Sequence, residues 1–229
     1  MHIITYIIFF VFIFINNTVL ALYNNPTTVN INEEYQNAYI YALKQKNLVL
    51  PIKEFKQKFL ISINSNQQKL SVYNPKGVLL KSYTISTSKK GLGQLLGSYK
   101  TPVGLHQIVE KIGDNVPHYG IFRHRQFTNR VWQKYFFLKY SNQKYLLPHK
   151  KDFIVTRILR LQGLEPGINY GKNYHGQVVD SLARAIYIHG TTMEWKLGKP
   201  TTIGCIHLSS KDIVELFNLV PIGSLVMIY

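Results

Sequence analysis

The chain has 229 residues, of which 46% are hydrophobic and 17% are charged, a balance that supports a sizeable core and argues against global disorder. Its formal net charge of +16 favours a polyanionic partner (nucleic acid, an anionic membrane surface or an acidic wall polymer), but no nucleic-acid-reading motif accompanies the charge. The single cysteine excludes an intramolecular disulfide.

The first 21 residues have the pattern of a signal peptide or an uncleaved anchor. Residues Ile3 to Ile15 are almost continuously apolar, a run shorter than the about 20 residues of a membrane-spanning helix, and Ala21 is a small residue suited to cleavage. We therefore predict export, with membrane attachment only if this segment stays uncleaved. Residues 22–57 are predicted to form a polar linker and a short helix, Glu33 to Lys46, which begins with acidic residues and ends with lysines.

The next stretch alternates apolar and polar residues with the period of β-strands. It predicts two paired strands, Phe59–Asn64 and Lys69–Tyr73, joined by the turn Ser65–Gln68. Further strands are expected at Val78–Ser86 and Gly104–Ile112.

The second half of the chain continues this pattern after one irregular segment. Residues 118–152 mix basic and aromatic residues without a clear period and are interpreted as an insertion or lid. Strands are predicted at Phe153–Leu161, Arg184–Ile188 and Ser224–Tyr229, and a Ser-capped helix at Ser209–Leu219. The sum is a mainly β domain, of sandwich or barrel type, with one or two helices.

The lone thiol, Cys205, follows a histidine by sixteen positions. His189 is expected to end a strand, with a sharp turn at Gly190, and Cys205 comes directly after Gly204. A neighbouring imidazole activates a thiol as a nucleophile, and backbone N–H groups beside it can bind an oxyanion. From the residues alone, a buried small apolar side chain and an intermolecular bridge remain open as alternatives.

A series of short segments around these residues resembles the L,D-transpeptidase (YkuD-like) family. The signature is a histidine, a spacer of about fifteen residues and Ser/Thr-x-Gly-Cys, here His189 and Thr202–Cys205. The resemblance runs from about residue 58 to residue 229 and also includes the segments Ser86–Thr87, Gly97–Gly104, Leu161–Gly167 with Asn169, Leu197–Pro200, Asp212, Leu216–Phe217 and Val220–Gly223.

This resemblance implies a β-rich catalytic domain that acts on peptidoglycan stem peptides outside the inner membrane. Cys205 would be the nucleophile, His189 its base, Gly190 the backbone carbonyl that orients the imidazole, and Gly204 part of the oxyanion site. The donor stem would acylate Cys205 with release of D-alanine, and an amine of a second stem or of a wall-anchored protein would take the acyl group. The implied reaction uses no metal and no cofactor.

Two positions depart from the family pattern, and both flank the cysteine. Ile203 stands where many members have histidine, and His207 stands where arginine or asparagine is common. His207 is interpreted as a substrate contact whose charge depends on pH; the alternatives are a second imidazole near the thiolate and a strand-end histidine that faces solvent. Thr191, Thr202 and Trp195 are further candidate substrate contacts, although each also suits a purely structural role in a turn or loop.

Two other functions fit the same residues. Water in place of the amine acceptor would make the protein an L,D-carboxypeptidase, or a hydrolase that releases a wall-bound protein. A non-catalytic domain that holds an anionic wall polymer through its positive charge is the alternative of a different class. A nucleic-acid partner is not expected, because export separates the protein from the genome.

Overall fold

The computed structural model describes residues 33–45, 48–49, 51–132 and 152–229. The predicted signal peptide or anchor and most of the predicted linker lie outside the described residues. Within them, two helices flank ten strands, and no helix is long and apolar enough to span a bilayer. The helices are α1 (Glu33–Lys44) and α2 (Ser210–Leu219); the strands are β1 (Leu60–Asn64), β2 (Lys69–Tyr73), β3 (Leu79–Thr84), β4 (Gly104–Ile112), β5 (Gly120–Arg123), β6 (Gln126–Val131), β7 (Ile154–Gly163), β8 (Tyr187–Thr191), β9 (Ile206–Leu208) and β10 (Leu225–Ile228).

The strands form one mixed sheet that branches at β7. Its main path runs β3-β2-β1-β10-β4-β7-β5-β6, and β8 also pairs with β7 and carries β9 on its other side. Most neighbours are antiparallel, whereas β1–β10 and β8–β9 are parallel. Parallel neighbours need a crossover connection, and the loop from Thr192 to Cys205 supplies it for β8 and β9.

Two apolar cores lie on opposite sides of the sheet. The larger one packs α2 against the sheet through Ile213, Leu216 and Phe217. Ser209 caps this helix by accepting a hydrogen bond from the Asp212 N–H at 3.0 Å. The smaller core packs α1 through Tyr35, Ala38 and Ala42 against a second set of residues, which includes Phe55, Leu60, Tyr73, Leu105, Leu164, Leu225 and Met227.

The prediction of a mainly β domain with one or two helices is confirmed. The paired strands and their turn are confirmed, as is the capped helix at the C-terminal end of the chain. The first helix begins at Glu33 as predicted and ends at Lys44. The segment predicted as an insertion contains the hairpin β5–β6, in which β5 is mostly buried or half-buried and β6 is largely exposed. Residues 133–151 lie outside the described residues.

The strand that contains His189 was predicted three residues too early. The prediction placed it at Arg184–Ile188, with His189 at its end and a turn at Gly190, whereas β8 spans Tyr187–Thr191 and includes both residues. The sequence pattern was misleading because β7 and β9 pair with β8 on both sides, which satisfies the backbone through Thr191. Gly190 serves close packing here: a Cβ atom on it would lie 2.7 Å from the Val155 carbonyl oxygen of β7.

A fully buried histidine, His106 on β4, links the sheet to the segment before β8. Its Nδ1–H donates to the Gly104 carbonyl at 3.0 Å, and its Nε2 accepts from the Ser181 hydroxyl at 2.9 Å. Burial lowers the pKa of His106 to about 4; the Gly104 bond opposes this, and the charge of Arg184 adds to it. His106 is therefore neutral in the folded protein at pH values where an exposed imidazole is protonated.

We predict that this burial makes folding sensitive to acid. The unfolded chain binds a proton on His106 below about pH 6.5 and the folded chain does not, so stability is retained above that pH and lost as the pH falls toward 4. When the pH falls from 7.5 to 4.5, the free energy of unfolding measured with urea should decrease by about 2 kcal/mol less in His106→Asn than in the parent protein. The exposed control His175→Asn should keep the parent's pH dependence; equal pH dependence in His106→Asn would contradict the assignment.

Candidate active site

Two adjacent parallel strands bring the predicted catalytic pair to one pocket. The register places His189 of β8 directly opposite His207 of β9, and Cys205 lies two residues before His207. Residues paired in register project from the same face of a sheet, so His189 and His207 share one face, and Cys205, in the turn before β9, lines the same cavity. The three side chains line one cavity of about 450 Å³ together with Ser86, Asp152, Phe153, Ile154, Thr191, Met193, Lys196, Leu197, Thr201, Thr202 and Ile203.

The orientation of His189 is set by its own strand. The side chain is buried, and Nδ1 lies 2.9 Å from the Gly190 carbonyl oxygen. A carbonyl oxygen only accepts, so the proton is on Nδ1 and the lone pair is on Nε2. Burial lowers the pKa of His189 to about 3, and the positive charge of His207 adds to this, whereas the Gly190 bond and Asp152 act in the opposite direction. His189 is therefore a neutral imidazole with a free basic nitrogen.

The thiol of Cys205 is half-buried and protonated at rest. Its Sγ donates to the Ala185 carbonyl oxygen at 3.5 Å and does not hydrogen-bond His189. Burial raises the pKa of Cys205 to about 11, although a hydrogen bond from the Tyr187 N–H and the charge of Arg184 both favour the thiolate. The site is thus a thiol beside a neutral base, unlike a preformed thiolate–imidazolium pair.

The turn before Cys205 is held by threonine hydroxyls. Gly204 has φ of +131°, a conformation that L side chains rarely adopt. The Thr202 hydroxyl donates to the Cys205 carbonyl at 2.7 Å and accepts from the Gly204 N–H at 3.2 Å, and the Thr101 hydroxyl donates to the Gly204 carbonyl at 2.9 Å. Thr202 therefore fixes the backbone from which the thiol projects. Thr202 also lines the pocket.

A carboxylate that the sequence analysis did not single out completes the site. Asp152, directly before β7, places Oδ2 3.2 Å from Nδ1 of His207. Burial alone would raise the pKa of Asp152, but the hydrogen bond and charge of His207, with help from the Thr191 hydroxyl and His189, lower it to about 2. In the sequence, the only indication of this role is that Asp152 is an acidic residue at the end of a basic segment, directly before a predicted strand.

A second residue that the sequence analysis passed over is Arg184. Its guanidinium donates to the Gly93 carbonyl at 3.1 Å and to the Lys100 carbonyl at 2.6 Å. These bonds hold the loop before β4 against the segment that leads into β8. The same charge favours the thiolate of Cys205, so Arg184 acts on the site electrostatically and through the loop.

The remaining candidates occupy different positions. The Thr191 hydroxyl donates to Asp152 Oδ1 at 2.6 Å and accepts from the Met193 N–H at 3.0 Å, so its hydrogen bonds are already made within the protein. Trp195 is 51% exposed on the short 3-10 turn Glu194–Lys196 and is not among the residues that line the pocket. Nowhere in the described part of the chain do three His, Cys, Asp or Glu side chains form a set that could hold a metal.

Known protein families and curated proteins include relatives of this chain. The family model YkuD, the L,D-transpeptidase catalytic domain, matches residues 58–228. Two curated relatives from Bacillus subtilis (strain 168) are YqjB, 33% identical over 69 residues, and YkuD, 43% identical over 49 residues. These alignments cover 30% and 21% of this chain, and they span only 39% and 30% of the relatives.

Solved structures were also compared. An L,D-transpeptidase from Mycobacterium smegmatis aligns over 75% of this chain and 58% of its own length, with 13% identity and a TM-score of 0.42. The family match, over residues 58–228, includes all ten strands. The chain therefore belongs to the YkuD family of L,D-transpeptidase catalytic domains.

Proposed function

We propose that this protein is an exported L,D-transpeptidase that forms a thioester between Cys205 and a peptidoglycan stem peptide. The observation that carries the proposal is the pairing of β8 with β9, which directs a neutral His189 and the Cys205 thiol into one cavity. The tautomer of His189 leaves Nε2 as a base, which a cysteine nucleophile requires.

Acylation of Cys205 is the first half of the proposed reaction. The thiol turns from the Ala185 carbonyl toward Nε2 of His189, which takes its proton as Sγ attacks the carbonyl of the donor's L-centre residue, usually diaminopimelate. The bond to D-alanine then breaks, and the departing nitrogen takes the proton from His189. A thioester on Cys205 and free D-alanine result.

Transfer to an acceptor amine is the second half. The amine attacks the thioester carbonyl and loses a proton to Nε2 of His189, the carbon–sulfur bond breaks, and the proton returns to Cys205. An amine from a second stem gives a wall cross-link, and a lysine of a wall protein gives an anchored protein. Water at the same step gives L,D-carboxypeptidase activity, which is the second candidate for this site.

The oxyanion that forms in both halves needs backbone donors beside the sulfur. We assign this role to the turn Gly204–Cys205, whose glycine conformation lets a substrate approach the main chain. The Gly204 N–H donates to the Thr202 hydroxyl at 3.2 Å, so this N–H is in a position to exchange that bond for one to the oxyanion. Thr202 thereby assists the site without direct chemistry.

The remaining pocket residues are assigned to substrate binding. His207 contributes a donor to a substrate carboxylate, and Lys196 adds a second positive charge to the lining. Thr191 acts through Asp152, because its hydroxyl is committed to that carboxylate. Trp195 is left as a surface contact for a longer stem or glycan, since it lies outside the cavity lining.

We predict that a carbapenem acylates Cys205 and that this depends on the thiol. Its β-lactam carbonyl should give a covalent mass shift on the intact protein, and Cys205→Ala should remove both this shift and all turnover of a tetrapeptide donor. Thr202→Ser, which keeps the hydroxyl, should retain acylation. Turnover that survives in Cys205→Ala would exclude the cysteine mechanism, and salt-sensitive wall binding unaffected by the change would favour a binding module.

The neutral state of His189 gives a second prediction. Because burial holds its pKa at about 3, protonation does not remove the base between pH 7 and 5, and the carbapenem acylation rate should change less than about threefold over that range. His189→Gln should react at least about a hundredfold more slowly at every pH. A tenfold fall of the parent rate with a midpoint near pH 6.5 would show that the base titrates as an exposed imidazole.

Cross-link analysis of cell walls distinguishes the two acceptors. Sacculi from cells with the active enzyme should contain diaminopimelate–diaminopimelate cross-links that are absent with Cys205→Ala. Tripeptide that accumulates at the expense of tetrapeptide, without such cross-links, would instead identify the carboxypeptidase.

A further inference from the structure

We propose that Asp152 is a positioning residue that fixes the ring of His207 in the pocket, where His207 contacts the donor stem. The inference rests on the proposed function, because it assigns a role in binding the donor stem. It adds to that function a residue directly before β7 that lies outside the β8–β9 pair.

Three hydrogen bonds hold the carboxylate of Asp152 in addition to its contact with His207. Oδ1 accepts from the Thr191 hydroxyl at 2.6 Å and from the Thr192 N–H and hydroxyl, each at 3.2 Å. These donors belong to the end of β8 and the residue after it, so the strand that carries His189 also anchors Asp152. Only Oδ2 remains for His207, at 3.2 Å.

The bond to Asp152 determines what His207 offers to the pocket. With Nδ1 directed at the carboxylate, Nε2 on the opposite side of the ring is left to the cavity that His207 lines. The ring also packs against His189, with centroids 4.5 Å apart and planes at 53°. The side chain is 13% exposed, so it has little freedom to leave this arrangement.

The test is a double-mutant cycle on the Michaelis constant for a tetrapeptide donor. Asp152→Asn keeps an oxygen for Thr191 and Thr192 but removes the charge, and it should raise KM about tenfold with less than a twofold change in kcat. His207→Gln should raise KM similarly. Adding Asp152→Asn to His207→Gln should then have no further effect, because no imidazole is left to position.

The split between KM and kcat supplies a readout that a merely structural role would not give, because a general disturbance of the site would lower kcat as well. The exposed turn residue Asp114 provides a matched control, and Asp114→Asn should keep both the KM and the kcat of the parent.

Two results would overturn the inference: an unchanged KM in Asp152→Asn, or effects of the two changes that add fully. Carbapenem acylation of Cys205 in Asp152→Asn, followed by mass, separates this failure from that of the proposed function: acylation with an unchanged KM rejects only the role of Asp152. If Asp152→Asn unfolds, the same cycle with Asp152→Ser in place of Asp152→Asn decides the outcome.

Discussion

The parallel pairing of β8 with β9 is the constraint on which the site depends. One register places His189 opposite His207 and sets Cys205 diagonally beside them, although the chain makes a long excursion between the two strands. β7 holds β8 from the other side so closely that residue 190 must be glycine, and the Gly190 carbonyl is in turn what orients His189. A change in this pairing by one residue would turn the imidazole away from the thiol.

Burial then decides the protonation states that the pairing brings together. Enclosing His189 and Cys205 disfavours their charged forms, so the resting site holds a neutral base and a neutral thiol. The half-buried carboxylate of Asp152 is surrounded by hydroxyls, an N–H group and His207, and its contacts with His207 and the Thr191 hydroxyl lower its pKa. In the proposed mechanism the thiolate of Cys205 therefore forms only once the substrate is bound, and the resting site holds no thiolate–imidazolium pair.

The N-terminal helix stabilises the sheet from the face opposite α2. Its aromatic and alanine residues bury Leu60, Leu105 and Leu225, and Tyr41 donates to the buried Glu165 at 2.9 Å. Glu165 also accepts from the Leu105 N–H at the strand next to β10. The helix precedes the residues matched by the family, yet it closes a core that would otherwise expose a sheet face to water.

The amino-acid sequence by itself determined the strand-rich class and most strand positions, because these follow from local alternation and turn residues. It also determined the candidate pair Cys205–His189, which follows from a motif of fixed spacing. It placed β8 three residues early and did not indicate β9, since a three-residue strand exists only through its partner. The sequence did not predict the role of Asp152, because this role depends on Thr191, Thr192 and His207, which are far from it in the chain. Only tertiary structure decided the tautomer of His189, the neutral thiol and the Asp152–His207 pair, because each is set by non-local burial and hydrogen bonding.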